Sequence, residues 1–479
     1  MDINRFNHQL KKDFGFELTS QQDECLDLLS QFLFDKKDDS VFLLKGYAGT
    51  GKTTTLSTLV KNLPKINKKS ILAAPTGRAA KVMSNYSRKN AQTIHRKIYY
   101  PQKNSKGNVD FVLQENKHKD TVFIIDEASM IPGLPEGADL FKKGSLLEDL
   151  LQYVYSGENC KLILVGDLAQ LPPVKSNLSP ALDRATLEGQ FQMTVIDIQL
   201  EEVVRQAQES DVLLNATLIR ESINEEKAEN FAFDLHKKND LKRLIDGYEI
   251  LDAIQDAYDH DGHENTAFIV RSNKRANLYN QQIRSRILQR EGEIEPGDYL
   301  MVVKNNYFWI KPNSEAGFIA NGDIIEVLEI YEMKELYGFR FARTKVRMVD
   351  YPQMEAFETM LLLDTIMSKS PSLNYEDNNK LYQEVMKDYA DMKSNYKKFL
   401  SVKKNPYFNA LQVKFSYAIT CHKSQGGQWN TVFVEQPYLP NGVSVEYLRW
   451  LYTAITRTKN KLYLIGFKDD FFTADTIVE

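Results

Sequence analysis

Short, near-continuous apolar runs recur through the first 200 residues, separated by stretches with helical spacing. They are VFLLK (Val41–Lys45), SILAAP (Ser70–Pro75), TVFIID (Thr121–Asp126), KLILVGD (Lys161–Asp167) and MTVIDIQL (Met193–Leu200). Runs without polar alternation mark strands covered on both faces. Their alternation with helices predicts a parallel, doubly wound sheet. A second set, TAFIVRS (Thr266–Ser272), FSYAIT (Phe415–Thr420), TVFVEQ (Thr431–Gln436) and KLYLIGF (Lys461–Phe467), predicts a second such domain. Between its first two strands the texture changes. Residues 297–350 are β-branched and turn-rich, as in a small antiparallel barrel, and residues 353–402 are polar and helical. In that helical stretch Tyr382, Val385, Met386, Tyr389, Met392, Tyr396 and Phe399 fall near helical spacing. The fold class expected is α/β: two parallel-sheet domains, the second interrupted by a small β-barrel plus a helical extension. The boundaries expected are 1–200 for the first domain, 201–296 with 411–479 for the second, and 297–410 for the insertion. Within the first domain a hairpin insertion is expected at 97–120, with NSKG (Asn104–Gly107) as its tip.

A chain of 479 residues exceeds one ordinary core, and 42% apolar content suffices to build several. The formal net charge of −4 excludes a globally basic protein. A nucleic-acid partner would therefore be held in a local groove. Cys25, Cys160 and Cys421 are scattered and lack CxxC spacing, which points to neither a disulfide framework nor a zinc site. The N-terminal stretch has no apolar signal-peptide region, and no apolar run reaches the about 18 residues of a membrane span. A cytoplasmic, reducing setting is expected, with no membrane partner.

The chemistry begins at GYAGTGKT (Gly46–Thr53), which fits GxxxxGK[ST] between a strand and a helix. Successive N–H groups in such a loop wrap phosphate, and its glycines allow the close approach. Gly46, Ala48, Gly49, Thr50, Gly51, Lys52, Thr53 and Thr54 form the expected nucleotide-binding set. Lys52 would reach the β/γ-phosphates, and the Thr53 hydroxyl would bind Mg²⁺. FIIDEASM ends a strand in Asp126, a second ligand for the Mg²⁺ shell, beside Glu127, which can orient and deprotonate a water. That pair favours hydrolysis of ATP over simple binding. Gln170, in VGDLAQLPPV, follows another strand end, where an amide can sense a γ-phosphate; alone it reads equally as an ordinary loop residue.

With these in hand the chain resembles a superfamily 1 helicase of the RecD/Dda-like branch, which moves 5′ to 3′, over nearly its whole length. ELTSQQ resembles the adenine-reading Q motif, with Gln22 in the matching position. AAPTGRAAKVM (Ala73–Met83) resembles motif Ia, and AQTIHR (Ala91–Arg96) the threonine–isoleucine–histidine block. LEEVVRQ (Leu200–Gln206) resembles motif IV, with Arg205 at an arginine-finger position. YAITCHKSQGGQW resembles motif V, and LYTAITRTK (Leu451–Lys459) resembles motif VI, with Arg457 as the second finger. Gln92 and Cys421 depart from the usual threonine and small aliphatic residue without touching the phosphate chemistry.

The resemblance implies two RecA-like P-loop NTPase domains with ATP and Mg²⁺ between them. It also implies a monomer that tracks single-stranded DNA into duplex junctions, in DNA repair or recombination. Lys52, Asp126, Glu127, Gln170, Arg205 and Arg457 would be catalytic. Gln22 and Gln425 would join the nucleotide set, and Ser424 would face the same cleft. Pro75, Thr76, Thr93 and His95 would grip DNA from one side, and Thr420, His422 and Lys423 from the other. On spacing alone, the first four read as turn and cap residues. The hairpin would act as a strand-separating pin. The basic stretch Lys393–Lys404 reads as a solvated face, and Trp309 as core packing ahead of base stacking. Three other readings stay open on the residues themselves: a P-loop phosphotransferase, a DNA-stimulated remodeller that does not unwind, and RNA as the track.

Overall fold

A computed structural model describes the chain except for residues 38, 104–108, 134–144, 174, 175, 177, 205–209, 236–239, 312, 313 and 474–479. Its first body is a six-stranded, all-parallel sheet in the order Ala91–Thr93, Lys69–Ala74, Thr121–Ile125, Lys161–Gly166, Ser40–Gly46, Thr194–Leu200. TVFII and KLILVG are buried at every position, the continuous apolar signature of a sheet covered on both faces. This order sets three strand ends side by side: that of Asp126, that of Asp167, and that of the phosphate loop. Ligands of open α/β sheets bind outside such carboxyl ends.

The second body is a five-stranded parallel sheet in the order Ala418–Thr420, Thr266–Val270, Trp429–Glu435, Thr458–Ile465, Leu241–Leu244. The run Phe415–Thr420 is divided between two structures. Leu411–Phe415 belongs to the barrel, and only Ala418–Thr420 joins the sheet.

The barrel closes over Tyr299–Val302, Ile324–Leu336, Phe339–Met348, Phe357–Leu362 and Leu411–Phe415. Its long hairpin turns at Tyr337 and Gly338, both at positive φ (58° and 73°), as a two-residue turn requires. The pair Phe357–Leu362 with Leu411–Phe415 is parallel, unlike the all-antiparallel barrel expected. A parallel pair needs a long crossover, and the helical extension supplies it. The extension is two helices, Tyr375–Lys387 and Asn395–Lys403, where the periodicity predicts one. Ser394 starts the second by accepting from the Lys397 N–H. The break lets both helices pack on the barrel around Phe341, Leu381, Val385 and Val402. Trp309 packs there too and donates to the Asn409 carbonyl at 2.7 Å.

The hairpin in the first domain has strands Tyr99–Lys103 and Val109–Leu113. Its base leans on the barrel through Phe111 and Tyr307, with ring centroids 4.7 Å apart. The tip, Asn104–Gly107, lies outside the described residues.

Candidate functional site

The phosphate loop runs off the strand Ser40–Gly46 into the helix Lys52–Asn62. That helix has no side-chain cap and no acid in its first turn, so its leading N–H groups stay available to an anion. Gly51 sits at φ +87°, a backbone conformation that favours glycine, and a Cβ there would press on the Gln22 amide. Lys52 Nζ lies over the loop, donating to the carbonyls of Gly46 (2.6 Å) and Tyr47 (2.7 Å). Thr53 is exposed and Thr54 half-buried at the helix start. Gln22 is buried and committed to protein: Oε1 accepts from the Thr19 N–H, and Nε2 donates to the Thr50 carbonyl at 3.0 Å. In this conformation it braces the loop.

Asp126 accepts from the Tyr86 hydroxyl (2.8 Å) and from the Glu127 N–H (2.8 Å). Glu127 adopts left-handed backbone geometry, φ +54°, a conformation disfavoured for a side-chain-bearing residue and frequent at functional sites. Burial pushes its carboxyl upward, Arg457 opposes that, Asp126 reinforces it, and Lys52 and Asp167 act on it as well. Residues from four segments of the chain thus share one electrostatic neighbourhood. The Glu127 side chain still keeps 19% exposure, an opening through which water can reach it.

Arg457 reaches this neighbourhood from the second sheet, with its guanidinium 3.6 Å from Glu127 Oε1. It is anchored by donating to the carbonyl of Thr453 (3.0 Å). The helix Val445–Ile455 that leads to it docks on the loop after Gly166. Arg449 donates to the Leu168 carbonyl, and the Leu171 N–H donates to Thr453 Oγ1 at 2.8 Å. Gln425 adds a second tie, donating to the Leu171 carbonyl at 2.8 Å. Gln170 lies within this clasp, buried, its Oε1 without a partner among the described residues. An acceptor left open there suits an incoming water or a hydroxyl-bearing ligand. Ser424, by contrast, donates to the Cys421 carbonyl inside its own turn. Arg205 lies outside the described residues; the chain approaches the phosphate loop just before it, where the Val204 N–H donates to the Gly49 carbonyl at 3.1 Å.

The two groups of proposed nucleic-acid contacts also meet. Gly426, at φ +72°, packs so closely that a Cβ there would lie 2.6 Å from Ala79 Cβ and 3.2 Å from Thr76 Oγ1. Arg78 stacks over Trp429, 4.5 Å from the ring centroid. Thr76 and Thr93 cap their helices by accepting from Ala79 and Arg96 N–H groups (both 3.2 Å). Pro75 and Thr420 are half-buried beside them, and His422 is exposed. His95 is half-buried, and burial holds its pKa down to about 4, so its ring is neutral. Lys423 donates to Asn321 of the barrel at 2.9 Å; burial and Lys414 hold its pKa down to about 8. The barrel thus sits over both contact groups.

Tyr86, Asp167, Arg449, Tyr452 and Thr453 are site residues that sequence reasoning missed. Asp167 carried a signal, since it ends an apolar run as Asp126 does. The others carry none, because each works through a partner remote in the chain.

Residues 32–176 match the AAA domain family, and residues 415–465 match the UvrD-like helicase C-terminal domain. The ATP-dependent DNA helicase dda of Enterobacteria phage T4 is 24% identical, over 94% of this chain and 99% of that one. The RecBCD enzyme subunit RecD of Buchnera aphidicola (subsp. Schizaphis graminum) is 24% identical, over 95% of this chain and 77% of its own. An uncharacterized protein of Acanthamoeba polyphaga mimivirus is 25% identical, over 88% of this chain and 94% of its own. A two-sheet NTPase with its nucleotide loop facing the second sheet defines the class. The matched domain families and these relatives agree with the resemblance to a superfamily 1 helicase of the RecD/Dda-like branch.

Proposed function

We propose that this protein is an ATP-dependent DNA helicase, a monomeric translocase that moves 5′ to 3′ along single-stranded DNA and opens duplex junctions, in DNA repair or recombination. One observation carries the reading. Lys52, Asp126 and Glu127 from the first sheet and Arg457 from the second converge on one point at the seam between domains. A phosphotransferase acting within one domain has no need of that seam.

In this reading the loop N–H groups and Lys52 bind the ATP phosphates. Thr53 and Asp126 offer a hydroxyl and a carboxylate oxygen, the hard donors that Mg²⁺ prefers, and would hold it; bound there, Mg²⁺ would neutralise phosphate charge. Glu127 accepts a proton from the attacking water, and Gln170 orients that water through its open Oε1. Arg457, with Arg205 as a second finger, stabilises the transition-state charge, a contribution of about 10³–10⁵ in rate for such fingers. Because Arg457 belongs to the second sheet, hydrolysis depends on how the domains close. Thr76, Thr93 and His95 lie on one side of the seam and Thr420, His422 and Lys423 on the other, so closure moves the two grips relative to each other. Gln22 would read adenine by exchanging one of its present partners.

The test is strand displacement on two duplexes that differ only in carrying a 5′ or a 3′ single-stranded tail, with and without ATP. Opening of the 5′-tailed duplex alone, and only with ATP, is expected. Equal opening without ATP, or ATP hydrolysis indifferent to oligonucleotide, removes the helicase reading.

A further inference from the structure

One hydroxyl in the seam belongs to none of the roles above. Tyr452, on the helix Val445–Ile455, is 1% exposed and bonds twice to the first domain. Its oxygen accepts from the Ala48 N–H of the phosphate loop at 2.9 Å, and its proton is donated to Asp167 Oδ2 at 2.7 Å. The other Asp167 oxygen accepts from the Ala169 N–H at 2.9 Å, one residue before Gln170. A single side chain from the second domain therefore ties the phosphate loop to the Gln170 loop.

Its neighbours on the helix do less. Arg449 and Thr453 bond to the Gln170 loop at Leu168 and Leu171, whereas Tyr452 also bonds to the phosphate-loop backbone. Arg457 is fixed to the same helix through the Thr453 carbonyl. A shift in the phosphate-loop backbone at Ala48 is thus felt by the helix through Tyr452, and the helix carries Arg457. A hydroxyl suits this place because it accepts and donates at once; a carboxylate only accepts and an ammonium only donates. Burial raises the tyrosine well above its ordinary pKa, with Asp167 adding to the effect, so the proton it donates to Asp167 stays in place.

We propose that Tyr452 is a positioning residue that transmits the conformation of the phosphate loop to the Gln170 loop and to Arg457, and so makes single-stranded DNA affinity respond to the bound nucleotide. The inference rests on the helicase reading and extends it by naming the side chain through which the two sites are coupled. Coupling of this kind is reciprocal, so it can be read from either ligand.

The experiment uses the full chain and the variants Tyr452→Phe and Tyr447→Phe. Tyr447 is also fully buried on this helix, but its hydroxyl donates to Gln436 within the second domain. Fluorescence anisotropy gives the affinity for an oligothymidylate with and without a non-hydrolysable ATP analogue; steady-state hydrolysis gives kcat and KM. For Tyr452→Phe the nucleotide-free DNA affinity is expected within about twofold of wild type, while the ratio of the two affinities falls toward one by at least about fivefold. Its kcat falls by about tenfold with KM within about threefold, since the ring still packs but Ala48 N–H and Asp167 Oδ2 lose their partner. Tyr447→Phe keeps the wild-type ratio. Should Tyr452→Phe fail to fold, Asp167→Ala, which removes the acceptor of the tyrosine proton, is expected to lower the ratio in the same way. A wild-type ratio in both Tyr452→Phe and Asp167→Ala, or an equal fall in Tyr447→Phe, overturns the proposal. A wild-type protein whose ratio is already one overturns it too. A wild type that opens no duplex while its ratio still depends on Tyr452 would instead remove the helicase reading and leave the coupling standing.

Discussion

Arg457 is nearly buried, yet its guanidinium has a carboxylate 3.6 Å away and backbone carbonyls around it. A cation held this way is pre-positioned, so little reorganisation is required when phosphate charge develops. Arg457→Ala is expected to keep nucleotide binding, by fluorescent-nucleotide titration, and to lose DNA-stimulated turnover by about 10³. Turnover at the wild-type rate would remove the finger assignment. A second residue makes a pH prediction. Asp323 of the barrel is buried against Gly77 of the first domain, with Oδ1 unpartnered among the described residues. Burial pushes its carboxyl up to about 8, the Ala320 N–H opposes this, and Asp350 adds to it. The folded chain therefore binds this proton more tightly than the unfolded chain does. Its contribution to stability is fully present below the ordinary carboxyl range and is lost as pH rises toward about 8. Asp323→Asn, neutral throughout, should show a smaller fall in Tm between pH 6 and 9 than wild type. An identical fall in both would mean that another group titrates.

Among the elements, the turn at Gly426–Gly427 brings the second domain into close contact with Thr76 and Ala79 of the first. Gly426→Ala would place a methyl 2.6 Å from Ala79 Cβ and strain a backbone already at φ +72°. The expected outcome is weakened oligonucleotide binding by anisotropy and reduced stimulation of hydrolysis, with nucleotide binding retained. Full stimulation in that variant would show that the two grips do not need this approach. The phosphate loop and the acids at strand ends were legible in the sequence because each is local: a strand, a turn and a helix start within a dozen residues. The helical extension was legible in kind but not in number. Periodicity registers which face is apolar, while the break at Ser394 depends on a cap and on the barrel beneath it. Ala91–Thr93 and Leu241–Leu244, short and partly polar, gave no strand signal; pairing with a longer neighbour makes them strands.

For the whole molecule, a net charge of −4 means that the proposed DNA partner would be held by a local path, the seam in this reading, and not by overall charge. The logarithm of the affinity should fall linearly with that of salt concentration, by about 0.7 for each single-strand phosphate neutralised. A titration showing no salt dependence would remove Lys423 and its neighbours as phosphate contacts. The barrel also belongs at this scale. It touches the first domain at Gly77 and Lys81, and the second domain's Lys423 at Asn321, so it bridges the two bodies across which the proposed closure would act.

The sequence by itself determined the two parallel sheets, the phosphate loop with Lys52 and Thr53, and the strand-end acids, because backbone sterics and apolar periodicity act over neighbouring residues. Tertiary structure alone decided that Ala48 and Tyr452, 404 positions apart, share a hydrogen bond, and that Arg457 lies against Glu127. Those meetings come from packing one sheet's carboxyl edge on a helix of the other domain, and no local pattern encodes which distant residue will arrive there.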